Sequence, residues 1–467
     1  MCYSLIVGKK ASKTGKVILA ANDDWPGCPG HILYEGAHDY IDKDQFQLVN
    51  GAYIPQVNHT FSYVHSSAAY DTGWRKESWN EGVNEYNVAV SLDGIYAFKN
   101  IESHQGLQAD DVPILILERA RSAREGVALV GKLIDEYGFC VSDIDGAAGA
   151  VVVAIADPDE GFFMEILPGG IWVAKRVDDD AVEVRPNCLG IHEVDFKDEF
   201  HYMCSDNVIS SAIGKGWYNG KDPFDFAEVY STNEAICEYG GPDDDVNKYR
   251  RWNGIYRLAK LDTEIDSKTY YAKAENVTIE DVKLLLGDGL QGTKYDLRNN
   301  PGAGLHKNPF YQDINISVGQ AGTVVGMVVD YSCMDDPTGS LIWFSLGNVS
   351  ISPFVPCYFN SSGLPNTFTR GKWGEYSEGS AWFVMEELCE QVYKRYDVVM
   401  PYIKKKQEYW TKKFNEKLKV KPIDADTTKK LTNEYSLWLL GQVKETIYYL
   451  KGHCIANTFV DESDFTF

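Results

Sequence analysis

Apolar runs at Cys2 to Val7 and Val17 to Ala21 flank the polar stretch Lys9 to Gly15, which predicts a β-hairpin. Its second strand returns Asn22, Asp23 and Asp24 to the side of residue 2. A further strand is expected over Tyr86 to Ser91, after a polar turn from Asn80 to Glu85. Gly149 to Ala156, Phe162 to Leu167 and Ile171 to Val177 read as three strands, divided by the turn formers Asp157 to Gly161 and Pro168 to Gly170. More strands follow at Gly322 to Tyr331 and Leu341 to Leu346.

The period changes where Ser122 and Glu125, spaced as a capping box, open an amphipathic helix to Tyr137. Thr278 and Asp281 open a second helix in the same way. From Ala381 helical periodicity dominates: through Tyr396, from Tyr402 to Leu418, and from Thr427 to Leu450, with breaks expected at Pro401 and Pro422. This order gives an α+β chain with a mixed region over 1–375 and a helical region over 376–467.

Charge and composition narrow the chemistry. In 467 residues, 68 Asp plus Glu stand against 45 Lys plus Arg, a formal charge of −23, which repels phosphate backbones and anionic lipid. Neither nucleic acid nor a membrane is expected as a partner, and no apolar run approaches the roughly 18 residues of a span. The first ten residues lack a secretory pattern, so the expected location is cytoplasmic. Ten cysteines occur without a Cys-x-x-Cys pair and nine histidines without His-x-x-x-His, so no metal is expected. Gly-x-Gly-x-x-Gly after a strand and the phosphate-binding Gly-Lys-Ser/Thr loop are both missing, so no cofactor is expected either.

Residue 2 carries the strongest chemical signal. Removal of Met1 before so small a residue would put a thiol, with a usual pKa of about 8.5, and an α-amine, of about 7.7–8.0, on one residue. That amine is basic enough to take the thiol proton, so Cys2 would supply both nucleophile and general base. The hairpin brings Asp23 and Asp24 close enough to hold the amine, and Asn84 could donate to an oxyanion. Asn and Asp at strand ends are also ordinary turn residues, and spacing alone leaves both readings open.

The segments Cys2-Tyr-Ser-Leu-Ile-Val-Gly-Lys-Lys-Ala-Ser12, Asn22-Asp-Asp24 and Gly82-Val-Asn-Glu-Tyr-Asn-Val-Ala-Val-Ser91 resemble bacterial dipeptidases of the dipeptidase A group. So do Arg121 to Val127, Ile171 to Asp180, Asn187 to Ile191, Leu341 to Phe344, Pro353 to Pro356 and the tail from Ser380. Those enzymes are cysteine peptidases of the N-terminal-nucleophile superfamily, related to bile-salt hydrolases and penicillin V acylases. The resemblance implies a four-layer αββα sandwich with a helical C-terminal region, and a dipeptidase acting on small peptides through a thioester on Cys2. It further implies that Asp24 holds the amine, Asn84 donates to the oxyanion and Asn187 orients cysteine or substrate.

A downstream arginine is also implied, for which Arg250, Arg251 and Arg257 compete; Arg251 is taken. Where the family usually carries an arginine three positions before its aspartate, this chain has Ala21. The alternatives are an N-acyl amidohydrolase of bile-salt or penicillin V type, or a catalytically silent peptide-binding relative, which Ala21 would favour. A homo-oligomer is expected.

Overall fold

The computed structural model describes residues 2–25, 27–41, 44–68, 78–103, 105–140, 149–232, 245–263, 265, 268–311, 316–417 and 422–455. Its first two strands, Tyr3–Val7 and Ile18–Asp24, form the expected hairpin, with Tyr3 opposite Asn22 and Val7 opposite Ile18. They are central in a seven-stranded antiparallel sheet. Its spatial order is Tyr271–Lys273, Ala181–Arg185, Tyr3–Val7, Ile18–Asp24, Thr323–Asp330, Leu341–Leu346 and Val355–Tyr358. An eight-stranded antiparallel sheet faces it, in the order Tyr202–Cys204, Ile171–Arg176, Gly161–Leu167, Ala150–Ala156, Ala89–Ile95, Ser78–Asn84, Tyr63–Ala68 and Gly30–Glu35.

Side chains alternate across each strand, so parity decides what meets what. Ser4 and Ile6 point between the sheets: Ser4 Oγ lies 2.7 Å from Ser91 Oγ of the opposite sheet, and Ile6 packs over Gly161. Tyr3 points outward, where its hydroxyl donates to the Arg250 carbonyl of helix Asp245–Leu258 at 3.4 Å. On the second sheet Val90 and Leu92 point outward into a separate apolar layer shared with helices Asp111–Arg119 and Ala123–Tyr137. Ala89, Val152 and Ala154 belong to the core between the sheets.

Four layers result. Helices Asp245–Leu258 and Ile279–Leu286 cover the first sheet, and helices Asp111–Arg119 and Ala123–Tyr137 cover the second. Helices Ala381–Tyr393 and Ala425–Ile455 pack on the first sheet's edge strands, and helix Tyr396–Lys417 reaches the same edge through Phe414 against Trp343, ring centroids 4.9 Å apart. No helix among the described residues is long and apolar enough to cross a membrane.

Three local expectations need correction. The polar stretch Asn80 to Glu85 is not a turn; most of it is strand Ser78–Asn84, and the turn lies beyond it. There Asn84 Oδ1 accepts the N–H groups of Tyr86 and Val88, both at 3.0 Å, while Asn87 takes a φ of 62°, a conformation asparagine tolerates. Pro401 lies inside helix Tyr396–Lys417 rather than before it. It forfeits only the bond to the carbonyl four residues back, and the buried neighbours Met400, Tyr402 and Ile403 anchor that turn. At the helix opened by Ser122, the Ser hydroxyl accepts the Glu125 N–H as expected, but the Glu125 carboxylate accepts from Arg121 N, not from Ser122 N. The position where the second C-terminal helix segment was expected to end, Leu418, lies outside the described residues, as does Met1.

Candidate active site

Cys2 immediately precedes the first strand, half-buried, on the face that looks between the sheets. Register places Asp23 beside it, and the Cys2 thiol approaches Asp23 Oδ1 at 3.7 Å. Burial pushes the thiol well above its ordinary range; the positive chain terminus pulls it down, and Asp23, Asp93 and Asp24 push it up again. The sulfur therefore ionises only with a base at hand.

Asp24 ends the second strand and is buried. Its Oδ1 accepts from the Thr323 hydroxyl at 2.6 Å, and Oδ2 lies 3.9 Å from Arg250 Nη2. Burial lifts its carboxyl to about 6, against the pull of the chain terminus, Arg250 and Thr323.

Arg250, fully buried, ties this corner together. Nη2 donates to the Cys2 carbonyl at 2.5 Å and Nη1 to Asn187 Oδ1 at 3.0 Å. Asn187, two residues beyond strand Ala181–Arg185, in turn donates from Nδ2 to the Gly94 carbonyl of the second sheet at 2.9 Å. Charge-assisted bonds of this kind contribute about 1.5–3 kcal/mol each, because both partners are withdrawn from water.

Cys2, Asp24 and Asn187 are thus brought together, but two of the expected residues are not with them. Asn84 sits on the other face of its sheet. Both of its amide hydrogens go to carbonyls of the outer helical layer, Leu117 O at 3.0 Å and Ala120 O at 2.7 Å. It is also five residues along the ladder from the Asp93 end, about 16 Å at about 3.3 Å per residue. An oxyanion at Cys2 is out of its reach.

Arg251 points away as well: it stacks on Tyr270, 4.5 Å from the ring centroid, and donates to Cys188 Sγ at 3.3 Å. The guanidinium at Cys2 belongs to Arg250. Arg257 lies two turns further along the helix, paired with Asp288 at 2.8 Å. Cys28 is buried core, and Ala21 occupies the inner face opposite Ser4.

Residues that the sequence reading passed over complete the surroundings. Asp93, buried in strand Ala89–Ile95, has its carboxyl raised to about 8 by burial, against the pull of Ser4 and Arg250. Glu81, buried in strand Ser78–Asn84, accepts from the Ser66 hydroxyl at 2.7 Å, and burial together with Asp23 holds it well above the carboxylate range. Their signal was available: Ser91 and Asp93 are polar at alternate positions of the otherwise apolar run Ala89-Val-Ser-Leu-Asp-Gly-Ile95, which marks a polar inner face.

Two facing antiparallel sheets lie between helical layers, with Cys2 immediately before a central strand, an αββα arrangement. The model of peptidase family C69 matches residues 1–411, and the chain belongs to that family of peptide hydrolases. Among curated relatives, a probable dipeptidase of Latilactobacillus sakei is 25% identical over 380 residues, covering 79% of this chain and 76% of the relative. Probable dipeptidase B of Streptococcus pyogenes serotype M1 is 26% identical over 419 residues, covering 84% and 78%. Solved structures with some likeness include a conjugated bile acid hydrolase mutant from Clostridium perfringens, with 9% identity, a TM-score of 0.35 and coverage of 81% of this chain and 98% of that one. Penicillin V acylase from Agrobacterium tumefaciens has 12% identity, a TM-score of 0.31 and coverage of 76% and 85%.

Proposed function

We propose that this peptidase is a cysteine dipeptidase that hydrolyses the amide bond of dipeptides through a thioester on Cys2. The observation that carries the reading is the placement of Cys2. Its thiol faces the space between the sheets, while Arg250 grips its carbonyl and Asp24 lies beside the same guanidinium.

With Met1 removed, the Cys2 α-amine takes the thiol proton, a role suited to a sulfur that burial keeps protonated. Asp24 holds the resulting ammonium. The thiolate attacks the substrate carbonyl, and the amine of the second residue leaves with a proton from that ammonium. Water, activated by the same amine, then cleaves the thioester and restores the thiol. Arg250 takes the place first given to Arg251, with Asn187 orienting it. A cytoplasmic location belongs to the same reading and is supported by the nine described cysteines, all free thiols.

The test is a substrate panel on the purified protein: dipeptides, longer peptides, a bile-salt conjugate and penicillin V, each with and without prior iodoacetamide. Dipeptide turnover that alkylation abolishes is expected. Preferential cleavage of the N-acyl substrates would instead establish the acylase reading. No turnover, together with slow alkylation typical of an ordinary thiol, would establish a silent relative, the outcome that Ala21 favours.

A further inference from the structure

The inner face opposite Cys2 is acidic, and register shows how. Glu81 and Ser91 are cross-strand partners, and Asp93 lies two residues beyond Ser91, so all three side chains point the same way. The contact of Ser91 with Ser4 fixes that direction as toward the first strand. One step along, Asp93 faces Cys2, with which it interacts electrostatically.

Asp93 and Glu81 are 1% and 2% exposed, so water does little to solvate either. Ser66 bonds Glu81, and Ser4 bonds the Asp93 carboxyl, yet Asp93 Oδ2 is a buried oxygen with no hydrogen-bond partner among the described residues. Compensation among the described residues is meagre. Among the described residues, the leading charges acting on Glu81 are those of Asp23, Asp93 and Asp24, all of its own sign. Arg250 attracts Asp93, but its two Nη groups are engaged with Cys2 and Asn187. Ala21 fills the inner-face position across from Ser4 and brings no charge. Buried carboxyls with an unmet acceptor, lined up beside a nucleophile, are complementary to a cation that arrives with the substrate.

The reacting geometry identifies that cation. In a dipeptide the α-nitrogen lies about 2.5 Å from the scissile carbonyl carbon. That carbon sits about 3–3.5 Å from the sulfur before attack. The amine is thus delivered to the immediate neighbours of Cys2 whatever the side chains, and Asp23 is already 3.7 Å from the sulfur.

We propose that Asp93 and Glu81, with Asp23, form the subsite that binds the α-ammonium of the substrate's first residue, restricting cleavage to the first peptide bond of a chain with a free amino end. This rests on the dipeptidase reading and adds to it the residues that set its specificity. Bringing an ammonium to this row stabilises the ionised carboxylates, so the free amine contributes binding that an uncharged analogue forfeits.

The experiment compares kcat/KM for one dipeptide and for its des-amino analogue, identical except for the missing amine. The wild-type protein should prefer the dipeptide by about 10³-fold or more, as sites built around a buried polar contact do. In Asp93→Asn, and separately in Glu81→Gln, that ratio should shrink at least about tenfold, mainly through a higher KM for the dipeptide. A cooperative thermal unfolding transition close to that of the wild type confirms in each variant that the fold is present. A ratio that stays unchanged in both variants, however far the two rates fall together, would overturn the assignment. So would a wild-type ratio near one, which leaves the dipeptidase reading standing; failure of the wild type on every dipeptide would remove both.

Discussion

Cys2→Ala should reduce dipeptide hydrolysis to background, a loss of about 10⁴–10⁶-fold, the range seen when a nucleophile is removed from a cooperating set. The fold should hardly notice. Cys2 is half-buried immediately before the first strand, and replacing the thiol by a methyl group removes one weak contact, that to Asp23 at 3.7 Å. A melting temperature within a few degrees of wild type is expected, corresponding to about 1 kcal/mol or less.

Cys2→Ser separates the two functions proposed for this residue. It keeps the α-amine and supplies a hydroxyl, a poorer nucleophile at neutral pH, so a trace of activity should survive. Cys188→Ala alters a buried thiol that meets Arg251 and Tyr270, and active-site-normalised rates should stay close to wild type. Activity retained in Cys2→Ala would end the account.

Arg250→Gln should have the second-largest effect, and its neighbour serves as the control. The Arg250 guanidinium is fully buried, donates to the Cys2 carbonyl and to Asn187, and lies 3.9 Å from Asp24 Oδ2. Its loss frees the residue that carries the nucleophile and removes the side-chain cation beside Asp24. A fall in kcat/KM of about 10²–10³-fold is expected, comparable to losing one preorganised electrostatic donor. A stability cost of about 3–5 kcal/mol should accompany it, because buried partners are left uncompensated.

Arg251→Gln also disturbs the interior, since that guanidinium stacks on Tyr270 and bonds Cys188. Yet neither of these contacts is at Cys2. Its kcat/KM, normalised to titrated sites, should stay within about threefold of wild type, a spread of well under 1 kcal/mol in the barrier. The reverse order of effects would return the role to Arg251.

Why sequence placed the arginine one residue off is instructive. Arg250, Arg251 and Arg257 share a helix, and charge alone gives no reason to choose among them. The deciding feature is Gly254, one turn after Arg250. A Cβ there would come within 2.2 Å of the Tyr3 hydroxyl, so Gly254 marks the helical face that presses on the first strand, and Arg250 shares that face.

Asn84 failed for a comparable reason. Its neighbours gave a turn at the wrong end of strand Ser78–Asn84, so the parity of the strand was lost and an outward residue was read as an inward one. By contrast, the hairpin that joins Cys2 to Asp23 and Asp24 was legible because its two apolar runs and polar loop are contiguous. The long C-terminal helices were legible from their period. Asp93 and Glu81 were hidden because their partners Ser4 and Ser66 are distant in sequence, and only the stacking of two sheets makes a polar residue in an apolar strand part of a chamber.

The central claim, that one residue provides both the attacking sulfur and the nitrogen that accepts its proton, is tested most directly by the intact mass of enzyme titrated to zero activity with iodoacetamide. The mass should correspond to a chain starting at Cys2 with a free amine, carrying one alkyl group per site lost, and peptide mapping should place that group on Cys2. Fully active protein that still carried Met1, or a blocked α-nitrogen, would contradict it.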